Sequence, residues 1–109
     1  MSHRLEKVNE LIKQVLGRII FETEDFDPGI LVTVMGVETS IDLQHAKVVV
    51  SVFPSKKSEY ILKRLNSHIF NLQQMLNKKL NMRPVPKFRF VLDQTESEAQ
   101  NLDELLKKS

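Results

Sequence analysis

The sequence predicts an α+β fold in which a three-stranded sheet has one face covered by helices. Three observations carry this expectation. The spacing of apolar residues switches between the helical period and strict alternation along the chain. The segments that read as strands number three, and the first two are separated by a connection short enough for an antiparallel hairpin. The length of 109 residues falls within the roughly 100 to 200 residues of one domain, so residues 1–109 are read as a single unit.

The elements follow in order. Leu5, Val8, Leu11, Ile12, Val15, Leu16, Ile19 and Ile20 trace one stripe at helical spacing, predicting a first helix over about residues 5–21. Ser2 is placed to cap its start, and Gly17 offers room for close approach of another backbone. An acidic stretch ends in Asp27-Pro28-Gly29, where proline fixes φ and glycine permits positive φ, so a turn is expected. Ile30–Val37 and Ala46–Phe53 are rich in β-branched residues and read as strands. Between them, Ser40 and Asp42 have two readings: a polar turn that contacts a partner, or side chains that accept backbone amides and fix the hairpin connection. The second is favoured, because these short polar side chains readily hydrogen-bond nearby backbone amides in a turn.

Residues 57–82 read as one long helix with Ile61, Leu65, Ile69, Leu72, Met75, Leu76 and Leu80 on its apolar face, preceded by Ser55 or Ser58 as a cap. Pro84 and Pro86 end it. Lys87–Leu92 alternates, with Phe88, Phe90 and Leu92 on one face and Lys87 and Arg89 on the other. A polar turn over 93–97 leads to a short amphipathic helix over 98–108, through Leu102, Leu105 and Leu106. With Val48, Val50 and Val52 joining the third strand's apolar face in the core, Lys47, Ser51, Lys87 and Arg89 fall on an open, positively charged sheet face. Phe21, Phe53, Phe88 and Phe90 are expected in the core, and Phe70 is read as a packing residue. Only Tyr60 and Phe70 are then free for base stacking, with packing the favoured reading of Phe70, which argues against stacking as the main mode of recognition.

Composition narrows the function. The chain has no cysteine, hence no disulfide, thiolate metal site or cysteine nucleophile. Its apolar runs fall well short of the roughly 18 residues a membrane span needs. The charged start Met-Ser-His-Arg-Leu-Glu is unlike a secretory signal, so a reducing cytoplasmic compartment is expected. The formal charge of +2 conceals segregation. Residues 1–46 carry four bases against eight acids, residues 47–89 ten bases against one acid, and residues 90–109 two bases against five acids. The ten central cations (Lys47, Lys56, Lys57, Lys63, Arg64, Lys78, Lys79, Arg83, Lys87 and Arg89) are the candidate RNA-binding residues, since cations that neutralise phosphates release condensed counterions. They form two clusters at the ends of the long helix, roughly 30 Å apart if it is straight.

Other classes find little support. His3, His45 and His68 lack metal-ligand spacing, and no nucleophile accompanies an imagined Asp42–His45 pair. The acids of residues 22–27 lack the EF-hand pattern. No enzyme activity, cofactor, metal or small-molecule substrate is expected. The rival reading is a protein-binding adaptor that docks a basic partner through the acidic ends; a generic RNA-binding module is the other alternative.

Particular motifs carry a resemblance across nearly the whole chain. Asp27-Pro28 and Val32-Thr33-Val34 precede Val37-x-x-Ser40-x-Asp42-Leu43-x-x-Ala46-x-Val48. Arg83-x-x-Pro86-x-Phe88-x-Phe90-x-x-Asp93 and Thr95 follow, and Leu102-x-x-Leu105-Leu106 closes the series. In this order they resemble the bacterial ribosome-binding factor A family. The resemblance implies a type II KH-like fold with a mixed sheet and a kinked second helix. It also implies a monomeric, non-enzymatic factor that binds the small (30S) ribosomal subunit, supports late maturation of 16S rRNA, and aids growth in the cold. The family places an Ala-x-Gly kink near His68-Ile69-Phe70, where this chain has neither alanine nor glycine.

Overall fold

The computed structural model describes residues 2–94, so the short helix expected over 98–108 lies outside the described residues. Helix α1 spans Ser2–Thr23, already including the serine expected to cap it. Its stripe buries Ile12, Leu16, Ile19 and Ile20 against the sheet, with Val8 and Val15 at the margin, while Leu11 is 46% exposed. A Cβ added at Gly17 would sit 3.9 Å from a side-chain carbon of Val34, an ordinary contact. The glycine therefore does not serve a close backbone approach.

The turn after α1 forms as expected. The Ile30 N–H donates to the Asp27 carbonyl at 3.1 Å, and Gly29 takes φ +89° behind Pro28. Strand β1 (Leu31–Thr39) pairs antiparallel with β2 (His45–Phe53), and β3 (Lys87–Leu92) lies parallel to β2 on its other side, giving the order β1-β2-β3. The sheet is mixed, as expected. β1 carries a bulge between Val34 and Gly36, an irregularity no composition rule shows, and its pairing continues past the β-branched run to Thr39 opposite Ala46. Met35 is the extra residue, and the inward phase shifts from Val32 and Val34 to Val37.

The continuous helical stripe over 57–82 is interrupted where the resemblance implies a kink. A 3-10 turn over Ser55–Lys57 leads into α2 (Ser58–Ser67), and α3 (Ile69–Lys79) follows after a break at His68. Neither Ser55 nor Ser58 caps α2: Lys57 occupies the cap position without a side-chain cap bond. His68 adopts φ −97° and ψ 11°, and its N–H bonds the Arg64 and Leu65 carbonyls. The kink thus forms without the family's alanine and glycine. The break is tied to a distant part of the chain: His68 Nδ1 lies 2.7 Å from Glu24 Oε1, just beyond α1. It lets both halves bury their stripes, Ile61 and Leu65 from α2 and Leu72 and Leu76 from α3. The two basic clusters are consequently not the ends of one straight rod.

The core lies between the helices and one face of the sheet, with Val48, Val50, Val52, Phe88 and Phe90 from the strands. Among the described residues no charged or polar residue is buried there. Three phenylalanines depart from expectation. Phe21 is 87% exposed, one position past the stripe residue Ile20 and so about 100° further round the helix. Phe53 is 66% exposed because it shares the outward phase of Lys47 and Ser51 on β2. Phe70 is 71% exposed because its neighbour Ile69 takes the inward position.

Candidate nucleic-acid interface

Alternation along β2 and β3 decides which side chains reach the open face. Because Val48, Phe88 and Phe90 point into the core, His45, Lys47, Lys87 and Arg89 point away from it. Strand pairing then sets Lys47 directly beside Arg89, and His45 beside Lys87. Glu38 on β1 faces Lys47 from the other side. These residues, with Ser40, line an open groove of about 550 Å³. His45 is the member sequence reasoning missed, although its even spacing with Lys47 along β2 was visible.

The groove's end is fixed by the hairpin connection. The Ser40 hydroxyl donates to Asp42 Oδ1 at 2.6 Å and accepts the His45 N–H at 3.0 Å, while the Gln44 N–H donates to the same Asp42 oxygen at 3.1 Å. The favoured reading of Ser40 and Asp42 is the one the geometry bears out. The Ser40 hydrogen bond, with help from the Gln44 amide, holds the Asp42 carboxyl below its ordinary value. The network also holds Leu43 at φ 60°, a conformation unfavourable for a branched side chain. The Asp42 carboxylate is thus engaged within the loop by Ser40 and Gln44. Among the described residues no group of three or more His, Cys, Asp or Glu is placed to hold a metal ion, and no helix is long and apolar enough to cross a membrane.

The other candidates are dispersed. Lys56 and Lys57 lie exposed on the 3-10 turn, Lys63 is exposed on α2, and Lys78 and Lys79 are exposed in the last turn of α3. Arg64 and Arg83 serve the fold. Arg64 donates to the Asp25 carbonyl at 2.9 Å and stacks 5.0 Å from the centre of the Phe26 ring, clamping the loop after α1 to α2. Arg83 donates to the Leu80 and Met82 carbonyls at 3.1 and 2.7 Å. Among the described residues none of the ten cations makes an ion pair, and all but Arg64 are exposed. Lys47, Lys87 and Arg89 are the three that the tertiary structure brings onto one surface, where neighbouring strands run about 4.8 Å apart.

Comparison with known proteins agrees with this architecture. The family model described as ribosome-binding factor A matches residues 4–106. The chain is 35% identical over 106 residues to ribosome-binding factor A of Akkermansia muciniphila, spanning 97% of this chain and 84% of that protein. The crystal structure of ribosome-binding factor A from Thermus thermophilus superposes with a TM-score of 0.71 at 27% identity, covering 81% of this chain and 94% of that one. A homology model of the Thermus thermophilus factor, fitted into a cryo-EM map of a 30S complex, gives a TM-score of 0.64 at 26% identity, covering 79% and 91%. Sequence and fold together make this chain a member of the ribosome-binding factor A family.

Proposed function

We propose that this protein is a non-enzymatic assembly factor that binds the small (30S) ribosomal subunit and assists late maturation of its 16S rRNA. It acts in the cytoplasm as a monomer, without cofactor or small-molecule substrate, through one ribosome-binding domain spanning the chain. The similar Thermus thermophilus factor, described in a complex with 30S, supports the choice of partner. The observation that carries the mode of binding is the row of cations on adjacent strands, Lys47, Lys87 and Arg89, none of them in an ion pair among the described residues although Glu38 faces Lys47 across the β1–β2 pair. Such a row neutralises phosphates on folded RNA and reads little sequence. Lys56, Lys57, Lys63, Lys78 and Lys79 extend the positive field around the helices, whereas Arg64 and Arg83 contribute mainly through the fold.

The test is co-sedimentation of the purified protein with immature and mature small subunits over a range of salt, with large subunits and a protein-free structured RNA alongside. Small-subunit-selective binding that weakens steeply with salt is expected. Lys47→Glu with Arg89→Glu should weaken it across RNA sequences and flatten the salt slope by about one for each phosphate no longer neutralised. Lys78→Glu with Lys79→Glu reports whether the helix end also touches the subunit. Salt-insensitive binding lost on reversing acids would instead identify a protein-docking adaptor.

A further inference from the structure

We propose that Phe70 is a stacking platform for one unpaired nucleobase of the bound RNA, seated in a groove that continues the cationic surface around the β3 edge. The inference rests on the RNA-binding reading above and adds a mode of recognition that phosphate contacts do not supply. Phe70 stands in the first turn of α3, directly after the break at His68. There Ile69 packs against the core, and the ring beside it is left 71% exposed.

The ring is not isolated on a convex surface. It lines a groove of about 500 Å³ together with Gln74, Asn77, Val85 and Lys87. The contents of this groove suit a base. A flat apolar ring offers a face for stacking, and carboxamides offer donors and acceptors to a base edge. Gln73 is excluded from that role, because its amide is committed to the Phe88 N–H, the Pro86 carbonyl and Asn77 Oδ1. That commitment leaves the Asn77 amide N–H groups and the exposed Gln74 side chain for the ligand. Lys87 lines both this groove and the one containing Lys47 and Arg89. A strand whose phosphate sits on Lys87 therefore has Phe70 within the same bound stretch.

The test measures affinity of the full chain for a labelled single-stranded oligoadenylate, for a fully paired RNA duplex and for an abasic strand of equal length. All are measured at one salt concentration and across a salt series. Phe70→Leu should weaken single-strand binding by about 5- to 100-fold, the range that removal of a base stack produces. It should leave duplex and abasic binding and every salt slope unchanged, and Phe70→Tyr should restore the single-strand affinity. An equal loss on all three probes, or no loss on the single strand, overturns the inference. The RNA reading is tested separately by Lys47→Glu with Arg89→Glu. If that variant loses small-subunit association while Phe70→Leu binds the single strand normally, the stacking site alone fails. If wild-type protein binds neither the probes nor the subunit, both fail.

Discussion

The side-chain amide of Asn66 pairs with both main-chain groups of Phe90: Oδ1 accepts the Phe90 N–H at 3.1 Å and Nδ2 donates to its carbonyl at 3.3 Å. Gln73 bridges two residues earlier in the chain, accepting the Phe88 N–H at 3.2 Å and donating to the Pro86 carbonyl at 3.1 Å. The alternate residues face the other way: the Lys87 and Asp93 amides donate to the Gln44 and Val50 carbonyls of the β2 side. Two helix-borne amides thus stand in for a fourth strand. They occupy backbone groups at which an edge would otherwise recruit another chain.

Replacing Asn66 by alanine leaves the Phe90 N–H and carbonyl without these partners in a half-buried place. We expect a loss of about 1 to 3 kcal/mol in urea denaturation. Amide exchange of Phe90 should accelerate more than that of Val48, which lies on the central strand. Unchanged protection at Phe90 would show that the amide pairing is not maintained in solution.

The two faces of the sheet predict opposite outcomes for two phenylalanines. Phe90 is 2% exposed and meets Phe88 edge to face, with ring centres 5.5 Å apart. Phe90→Ala should cost about 3 to 5 kcal/mol through the cavity it leaves. Phe53→Ala, on the open face opposite Leu31, should change stability by no more than about 0.5 kcal/mol. Equilibrium denaturation of the two variants decides this, and a large loss at Phe53 would mean that its face is covered in solution.

Asp42 predicts a pH dependence with a definite sign. Its carboxyl is held below the ordinary value of 3.8, first by the Ser40 hydroxyl and then by the Gln44 amide. A folded-state value below the unfolded one contributes stability that is present above the unfolded value and is lost as pH falls through the folded value. Thermal melts of the wild type and Asp42→Asn should therefore differ at pH 7 and converge on acidification below about pH 4. A gap that persists undiminished at pH 2 would show that the ionised carboxylate is not what the loop uses.

Much of this protein is legible in its sequence, because burial on one side of an element imposes a period. The helical stripe through Ile12, Leu16 and Ile19, the alternation of Phe88 and Phe90 with Lys87 and Arg89, and the Asp27-Pro28-Gly29 turn each predict what forms, since neighbours in sequence settle them. The candidate site is half legible for the same reason. Alternation puts Lys47, Lys87 and Arg89 on an outward face, but only the parallel pairing of β2 with β3 sets Lys47 beside Arg89.

What the tertiary structure alone decides are choices between distant parts of the chain. The 57–82 stripe is continuous across residue 68, so the break there is invisible to periodicity; it coincides with the contact between His68 and Glu24, 44 residues apart in sequence. Arg64 and Lys63 are adjacent cations of equal formal charge, yet Arg64 is engaged by the Asp25 carbonyl and the Phe26 ring while Lys63 stays exposed. Phe70 is apolar and belongs in a core by composition, but the core position beside it is taken by Ile69, and the ring is left facing water. Local period fixes which face of an element is apolar. Which long-range partner occupies that face, and which side chain is left over, depends on packing that no segment determines by itself.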